Sequence, residues 1–265
     1  MEERDDPVKR AMVEAFGESD DDDDETPNKK QEDDDEGEEV RSRRTWTWEP
    51  AEPVDGLWLC RDFLSEEHQS SLLSAIEREG WFTNSHNQAM RFGDLPEWAT
   101  ELSRFVREAV CFSEVSSKGG QRLIVEDQLI EEPCPLPFDL LWREPLFDQL
   151  ILNTYKPYEG ICAHVDLMRF QDGIAIISLE SACVMHFTRS ERGTDTAETQ
   201  GKEGSSMRIP VFLNPGSLVL MSGEARYLWK HEINRKAGFQ IWEGKEIDQE
   251  RRTSITLRRL CEGPN

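Results

Sequence analysis

Arg252-Thr253-Ser254-Ile255-Thr256-Leu257-Arg258 is the stretch on which the reading of this chain turns. Along a β-strand successive side chains point to opposite faces, so Arg252, Ser254, Thr256 and Arg258 share one face and Ile255 and Leu257 the other. If the apolar face packs outward against helices, two guanidiniums and two hydroxyls point into the interior. Buried arginines are costly unless an anion meets them. At about 3.3 Å per residue, the two arginines stand about 20 Å apart along the strand. Their long side chains, converging from both ends, could grip a small dicarboxylate with two-pronged pairing at each carboxylate. A solvated edge strand, with Arg251, Arg252, Arg258 and Arg259 simply exposed, fits the same letters.

Upstream, His164-Val165-Asp166 sets an imidazole and a carboxylate two residues apart, on one face if the segment is a strand. His231 follows 65 residues after Asp166 and opens another short strand. Two histidines and one carboxylate, with further positions left open, form the donor set of non-haem Fe(II) oxygenases. Short H-x-D patterns also arise without any metal. The chain has five histidines, and the other three read blandly. His68 and His86 fit surface or helix positions, and His186, in Val184-Met185-His186-Phe187, fits a barrel-lining or packing role. Cys162 would share the face of His164 and pack there, and Tyr227 and Trp229 read as core.

The texture around these residues changes near Leu150. Short strand-like runs with turn residues between them cover Leu150–Tyr155, Gly173–Leu179, Ala182–Arg189, Met207–Leu213, Ser217–Ser222, His231–Ile233 and Arg252–Leu260. Ser190–Ser206 reads as an inserted Gly/Thr/Glu-rich loop. Before that, Thr45-Trp46-Thr47-Trp48 alternates like a strand, and Ser65 can cap a helix over Glu66–Glu79. A second amphipathic helix fits Pro96 to about Phe112, with Leu102, Phe105, Val106 and Val110 along one side. Trp81–Leu95 between them reads as irregular. The fold class expected is mostly β with flanking helices, an antiparallel sandwich or jelly roll.

Charge divides the chain into two parts. The 54 acidic and 31 basic residues give a net charge of −23. Residues 1–44 carry 19 acidic and 8 basic side chains, and the acidic blocks Asp20–Glu25 and Glu32–Glu39 lie there. Such a segment buries too little apolar surface to offset its ordering entropy, so it is expected to be a disordered acidic arm, with Val8–Phe16 as a short helical patch. The expected folded domain, residues 45–265, is still net negative, which argues against loose binding to nucleic acid through a general positive surface. The six cysteines are scattered with no C-x-x-C pair, which points to free thiols in a reducing compartment. No apolar run approaches membrane-spanning length, and Glu2, Glu3, Asp5 and Asp6 stand where a signal peptide would be basic and then apolar. The expectation is a soluble protein of the nucleus or cytoplasm that does not engage a membrane.

Asn153-x-Tyr155, then His164-x-Asp166, then Pro215-Gly216 leading through Arg226-Tyr227-Leu228-Trp229-Lys230 to His231, then R-x-S-x-T-x-R resembles the AlkB family of Fe(II)- and 2-oxoglutarate-dependent dioxygenases. The resemblance spans about residues 150–260 and includes the spacing of eleven from Asn153 to His164. It implies a double-stranded β-helix, with a strand–turn–strand leading to the second iron histidine. It also implies Fe(II) on His164, Asp166 and His231, which would be both metal ligands and catalytic residues. Arg252 would pair with the distal carboxylate of 2-oxoglutarate, Arg258 would lie near the metal-bound end, and Asn153 and Tyr155 would hydrogen-bond the cosubstrate. With O2, 2-oxoglutarate would give succinate and CO2 while a substrate C–H is hydroxylated. Hydroxylation of an N-methyl group would release formaldehyde.

One position departs from the family members that repair alkylated bases. Their further acidic residue, two positions past the iron aspartate, corresponds here to Met168. The function expected is oxidative demethylation or hydroxylation of a modified nucleic acid, RNA ahead of DNA. Trp81, Phe82 and Phe92 are candidates to stack on a base. A methylated protein side chain is the other substrate class, and a catalytically idle binding module the reading from outside enzymology.

Overall fold

The computed structural model describes residues 45–82, 87–115, 134–190 and 207–262. The acidic arm 1–44, His86 and nearly all of the Ser190–Ser206 loop lie outside the described residues. In chain order the strands are β1 (Trp46–Pro50), β2 (Leu57–Cys60), β3 (Gln88–Phe92), β4 (Ser113–Val115), β5 (Gln149–Tyr155), β6 (Ile161–His164) and β7 (Ile174–Leu179). They continue as β8 (Cys183–Arg189), β9 (Arg208–Leu213), β10 (Leu218–Met221), β11 (Trp229–Ile233), the hairpin β12 (Ile241–Trp242) and β13 (Lys245–Glu246), and β14 (Arg252–Arg258).

The larger sheet has the order β3-β5-β14-β7-β10-β2-β1-β4 and the smaller one β6-β11-β8-β9. Only β1 and β4 pair in parallel; the other neighbours are antiparallel. The inner faces of the two sheets share one core. Leu57, Leu59, Ile174, Ile176, Val219 and Met221 come from the larger sheet, and they meet Met185, Phe187, Val211 and Leu213 of the smaller. This is the expected jelly roll, and burying one face of each sheet is what fixes its strand registers.

Helices cover the outer face of the larger sheet. Glu66–Arg78 starts where Ser65 Oγ accepts the His68 amide at 3.2 Å, and has Glu66 and Glu67 in its first turn. Glu97–Cys111 turns Trp98, Leu102, Phe105 and Val106 inward. Trp46 and Trp48 on β1 meet this helix: the Trp46 ring lies edge-on to Phe105 at 5.0 Å, and Trp48 Nε1 donates to the Ala109 carbonyl at 2.9 Å. The turn into β10 depends on Gly216, at φ +81°, because a β-carbon there would come 2.6 Å from the Leu64 carbonyl oxygen. No helix of the described residues is long and apolar enough to cross a membrane.

The structure corrects several expectations. Trp81–Leu95 is not wholly irregular, because β3 pairs with β5 in the register Gln88↔Asn153 through Phe92↔Gln149. Its Gln, Met and Arg side chains carry little strand signal, and its partner strand holds it. His164-Val165-Asp166 is not one strand: β6 ends at His164. The segment before His231 is not strand–turn–strand, since a short helix, Gly223–Tyr227, joins β10 to β11. His231 lies in the middle of β11 rather than at its start. Cys162 is exposed rather than packed. His186 packs as expected but does not line the barrel; its neighbours Met185 and Phe187 face the core while it meets the Phe239 ring at 6.0 Å.

Replacing Trp48, which is fully buried, by Phe removes the donor to Ala109 and leaves a gap under the helix. The expected loss is about 1–3 kcal/mol of unfolding free energy in urea titration. An unchanged midpoint would show that this anchor contributes nothing.

Candidate active site

Two strands bring the histidines together. β6 and β11 pair in the register His231↔His164, which sets the imidazole centroids 4.3 Å apart. Asp166 follows two residues past the end of β6, outside regular structure. A potential ligand atom from each of His164, Asp166 and His231 lies within 4.8 Å of the others, and His231 Nε2 stands 3.8 Å from Asp166 Oδ2. His164 Nδ1–H donates to the Cys162 carbonyl at 2.8 Å, which leaves the Nε2 lone pair free for a metal.

Since no strand holds Asp166, side chains must. Arg226 of the short helix is buried, and its guanidinium donates to three loop carbonyls, those of Asp166 at 3.0 Å, Leu167 at 2.8 Å and Phe170 at 3.0 Å. The carboxylate itself accepts from Arg258 Nη1, and Arg258 Nε in turn donates to buried Gln149 at 2.7 Å. Burial pushes the Asp166 pKa up, but the charges of His231 and Arg258 overcome it and the net shift is downward. Burial lowers His231 to about 4 against the opposing pull of Asp166. The group therefore offers an ionised carboxylate and a neutral imidazole lone pair near neutral pH, the protonation states that a divalent metal requires.

Beside this cluster lies a cavity of about 160 Å³. Arg252, Ser254, Thr256 and Arg258 all line it, so the inward face of β14 is as the alternation predicts. Asn153 and Tyr155 of β5 stand opposite Ser254 and Arg252 in register. With Arg258 fixed on Asp166, Arg252 marks the far end. Arg252 Nε donates to Ser178 Oγ at 2.9 Å, while its Nη2 is sealed from solvent with no partner. Burial raises the Tyr155 pKa against the pull of Arg252, which keeps the phenol protonated as a donor. A buried, unmet guanidinium nitrogen beside a phenol O–H suits a carboxylate, and the metal-type cluster at the other end suits a second. The donor set thus fits both Fe(II) and a small 2-oxo diacid.

The mouth comes from β3. Gln88, Met90 and Phe92 oppose Asn153, Ile151 and Gln149, so they continue the inward face at the sheet edge, where all three are exposed. Gln88 Nε2 donates to Asn153 Oδ1 at 2.6 Å. From the loop past Asp166, Leu167 and Met168 are exposed and Arg169 lies 5.9 Å over the Phe92 ring. Trp81 instead stacks under Arg91, at 3.9 Å.

Residues 56–258 match the model of the 2OG-Fe(II) oxygenase superfamily. The chain belongs to that superfamily. Superfamily members use Fe(II), 2-oxoglutarate and O2. The relatives are AlkB-like. The alkylated DNA repair protein ALKBH8 homolog of Arabidopsis thaliana is 27% identical over 80% of this chain and 60% of its own length. The mouse tRNA (carboxymethyluridine(34)-5-O)-methyltransferase ALKBH8 is 41% identical over 67% of this chain but 24% of its own length. The chain therefore spans less than two thirds of either relative, and about a quarter of the mouse one. The solved structure of OsALKBH1 is 16% identical, with a TM-score of 0.48 over 77% of this chain and 96% of that one.

All seven residues singled out in the sequence meet at this one cavity: His164, Asp166, His231, Asn153, Tyr155, Arg252 and Arg258. Arg226 and Gln149 were missed as site residues. Arg226 sat in plain view inside the motif leading to His231, whereas nothing in the letters marks Gln149. The histidine–aspartate cluster rests on Arg226 for the position of the loop that carries its carboxylate. Arg226→Met should weaken Mn(II) binding, measured by calorimetry, about 10- to 100-fold. Affinity equal to wild type would show that the loop holds Asp166 unaided.

Proposed function

We propose that this chain is an Fe(II)- and 2-oxoglutarate-dependent AlkB-like oxygenase that demethylates or hydroxylates a modified nucleic acid, RNA ahead of DNA. The observation that carries the reading is the His164–Asp166–His231 cluster at one end of a cavity whose other end is an unmet, buried Arg252. His164, Asp166 and His231 hold the iron, and Asn153, Tyr155 and Arg252 hold 2-oxoglutarate, with Arg258 steadying Asp166 at the metal end. When bound, iron and 2-oxoglutarate supply the oxidation of a substrate C–H by O2, with succinate and CO2 as coproducts.

The chain's own residues do the rest. The register of β6 and β11 orients the two imidazoles. Arg258 keeps the Asp166 carboxylate ionised, and Arg226 holds the loop backbone that aims it. Ile151, Ile176 and Ile233 supply apolar wall between the polar ends of the cavity. At the mouth, Phe92 offers an aromatic face and Arg169 a cation beside it, the pairing that receives a flipped or single-stranded base next to a phosphate. That cation disfavours a methylated lysine. Met168 supplies no hydrogen bond to a base edge, unlike the acidic residue of the alkylation-repair members, which favours a substrate read by shape. The relatives named for a modified tRNA uridine support RNA over DNA.

Succinate formation from 2-oxoglutarate, with Fe(II) and ascorbate, should rise when total tRNA is added and not when methylated histone peptides are. Stimulation by the peptides alone would overturn the nucleic-acid reading. His231→Ala should abolish succinate formation while urea unfolding still reports a folded protein. Retained turnover in that variant would remove His231 from the metal.

A further inference from the structure

Two residues past the end of β11, which closes at Ile233, stands another buried cation. His231, Ile233, Tyr155 and Arg252 line the cavity, and Arg235 stands behind that lining, within electrostatic reach of Tyr155 and Arg252. Only 8% of Arg235 is exposed. Its Nε donates to the Glu159 carbonyl at 3.1 Å, which fixes the plane of the guanidinium. Nη1 and Nη2 are both sealed from solvent with no hydrogen-bond partner, as is Nη2 of Arg252. Gly160 passes close to this segment, chiefly against the Ile233 backbone. A β-carbon on Gly160 would lie 2.0 Å from the Ile233 carbonyl oxygen and 3.2 Å from Arg235 Cγ.

Arg252 lies 5.6 Å over the Tyr155 ring, and the charge of Arg235 reaches both. Burial, above all, lowers the Arg235 pKa, and the charge of Arg252 lowers it further. Both guanidiniums pull the Tyr155 pKa down against its burial. Among the described residues, no carboxylate pairs with either guanidinium. Two like charges packed together with three unmet nitrogens call for an anion between them. A carboxylate has about four lone-pair sites, enough for both arginines and the Tyr155 hydroxyl.

We propose that Arg235 is a second arginine for the distal carboxylate of 2-oxoglutarate, sharing it with Arg252 and making the pocket selective for a doubly charged 2-oxo acid. The proposal rests on the reading of this cavity as the 2-oxoglutarate pocket. Arg252 supplies one unmet nitrogen and Arg235 two, so Arg235 carries a large share of the recognition while standing clear of the metal ligands.

The test is calorimetry on the full chain loaded with Mn(II), using 2-oxoglutarate and 2-oxopentanoate, which has the same carbon chain without the distal carboxylate. Arg235→Gln should weaken 2-oxoglutarate binding roughly 10- to 100-fold and leave 2-oxopentanoate and Mn(II) within about twofold of wild type. Arg235→Lys, which keeps the charge but loses the fork, should recover part of the loss. Unchanged 2-oxoglutarate affinity in the Gln variant overturns the proposal, as does an equal loss for both acids, the mark of an arginine that only supports the fold. If the Gln variant no longer binds Mn(II), the Lys variant decides by the same comparison. A wild-type protein that binds neither acid would instead sink the pocket reading itself, and this proposal with it.

Discussion

Everything at this centre depends on the antiparallel pairing of β6 with β11. A β-ladder has a side-chain period of two, so a slip of one residue would turn His231 out of the barrel and bring Glu232 in. The slip is opposed by the rest of β11. Trp229 and Ile233 flank His231 on the same face and are buried in the core shared by the two sheets. The hydrophobic pattern that folds the smaller sheet is therefore the same pattern that aims an imidazole, and core packing and metal geometry are one constraint.

A second theme is how a chain this acidic manages buried positive charge. Arg226, Arg235, Arg252 and Arg258 are all buried. Arg258 is neutralised by Asp166, and Arg226 gives its two Nη groups to three backbone carbonyls, its Nε alone being unmet. Arg252 and Arg235 have only one side-chain or backbone acceptor each, on Nε. The contrast separates cations whose Nη groups are met by the protein from cations whose Nη groups are left unmet, a distinction that neither burial nor sequence position makes alone.

The sequence was most legible where periodicity and chemistry coincide. Arg252, Ser254, Thr256 and Arg258 could be placed on one inward face because a two-residue alternation leaves little choice, and the capped helix at Ser65 followed from local hydrogen bonding. The jelly roll itself could be read from the succession of short runs past Leu150. Legibility failed where tertiary partners decide. β3 has an unremarkable composition and exists through β5; Asp166 is placed by arginines 60 and 92 residues away in sequence. The short helix after Ser222 was hidden because its residues also suit a turn. Arg235 gave no signal, since its meaning comes from the nitrogens it leaves unmet and from Gly160 across the chain.

The position of β3 has its own consequence for how such a protein changes over time. It is the edge strand of the larger sheet, tied to the barrel by backbone bonds to β5, and its three mouth-facing side chains are exposed. Substituting Met90 or Phe92 redraws the rim without touching the register that sets the histidines, whereas Gln88 also holds the Asn153 amide. The outer half of the rim can therefore vary on a single strand while the histidine–aspartate cluster, held by other strands, stays as it is.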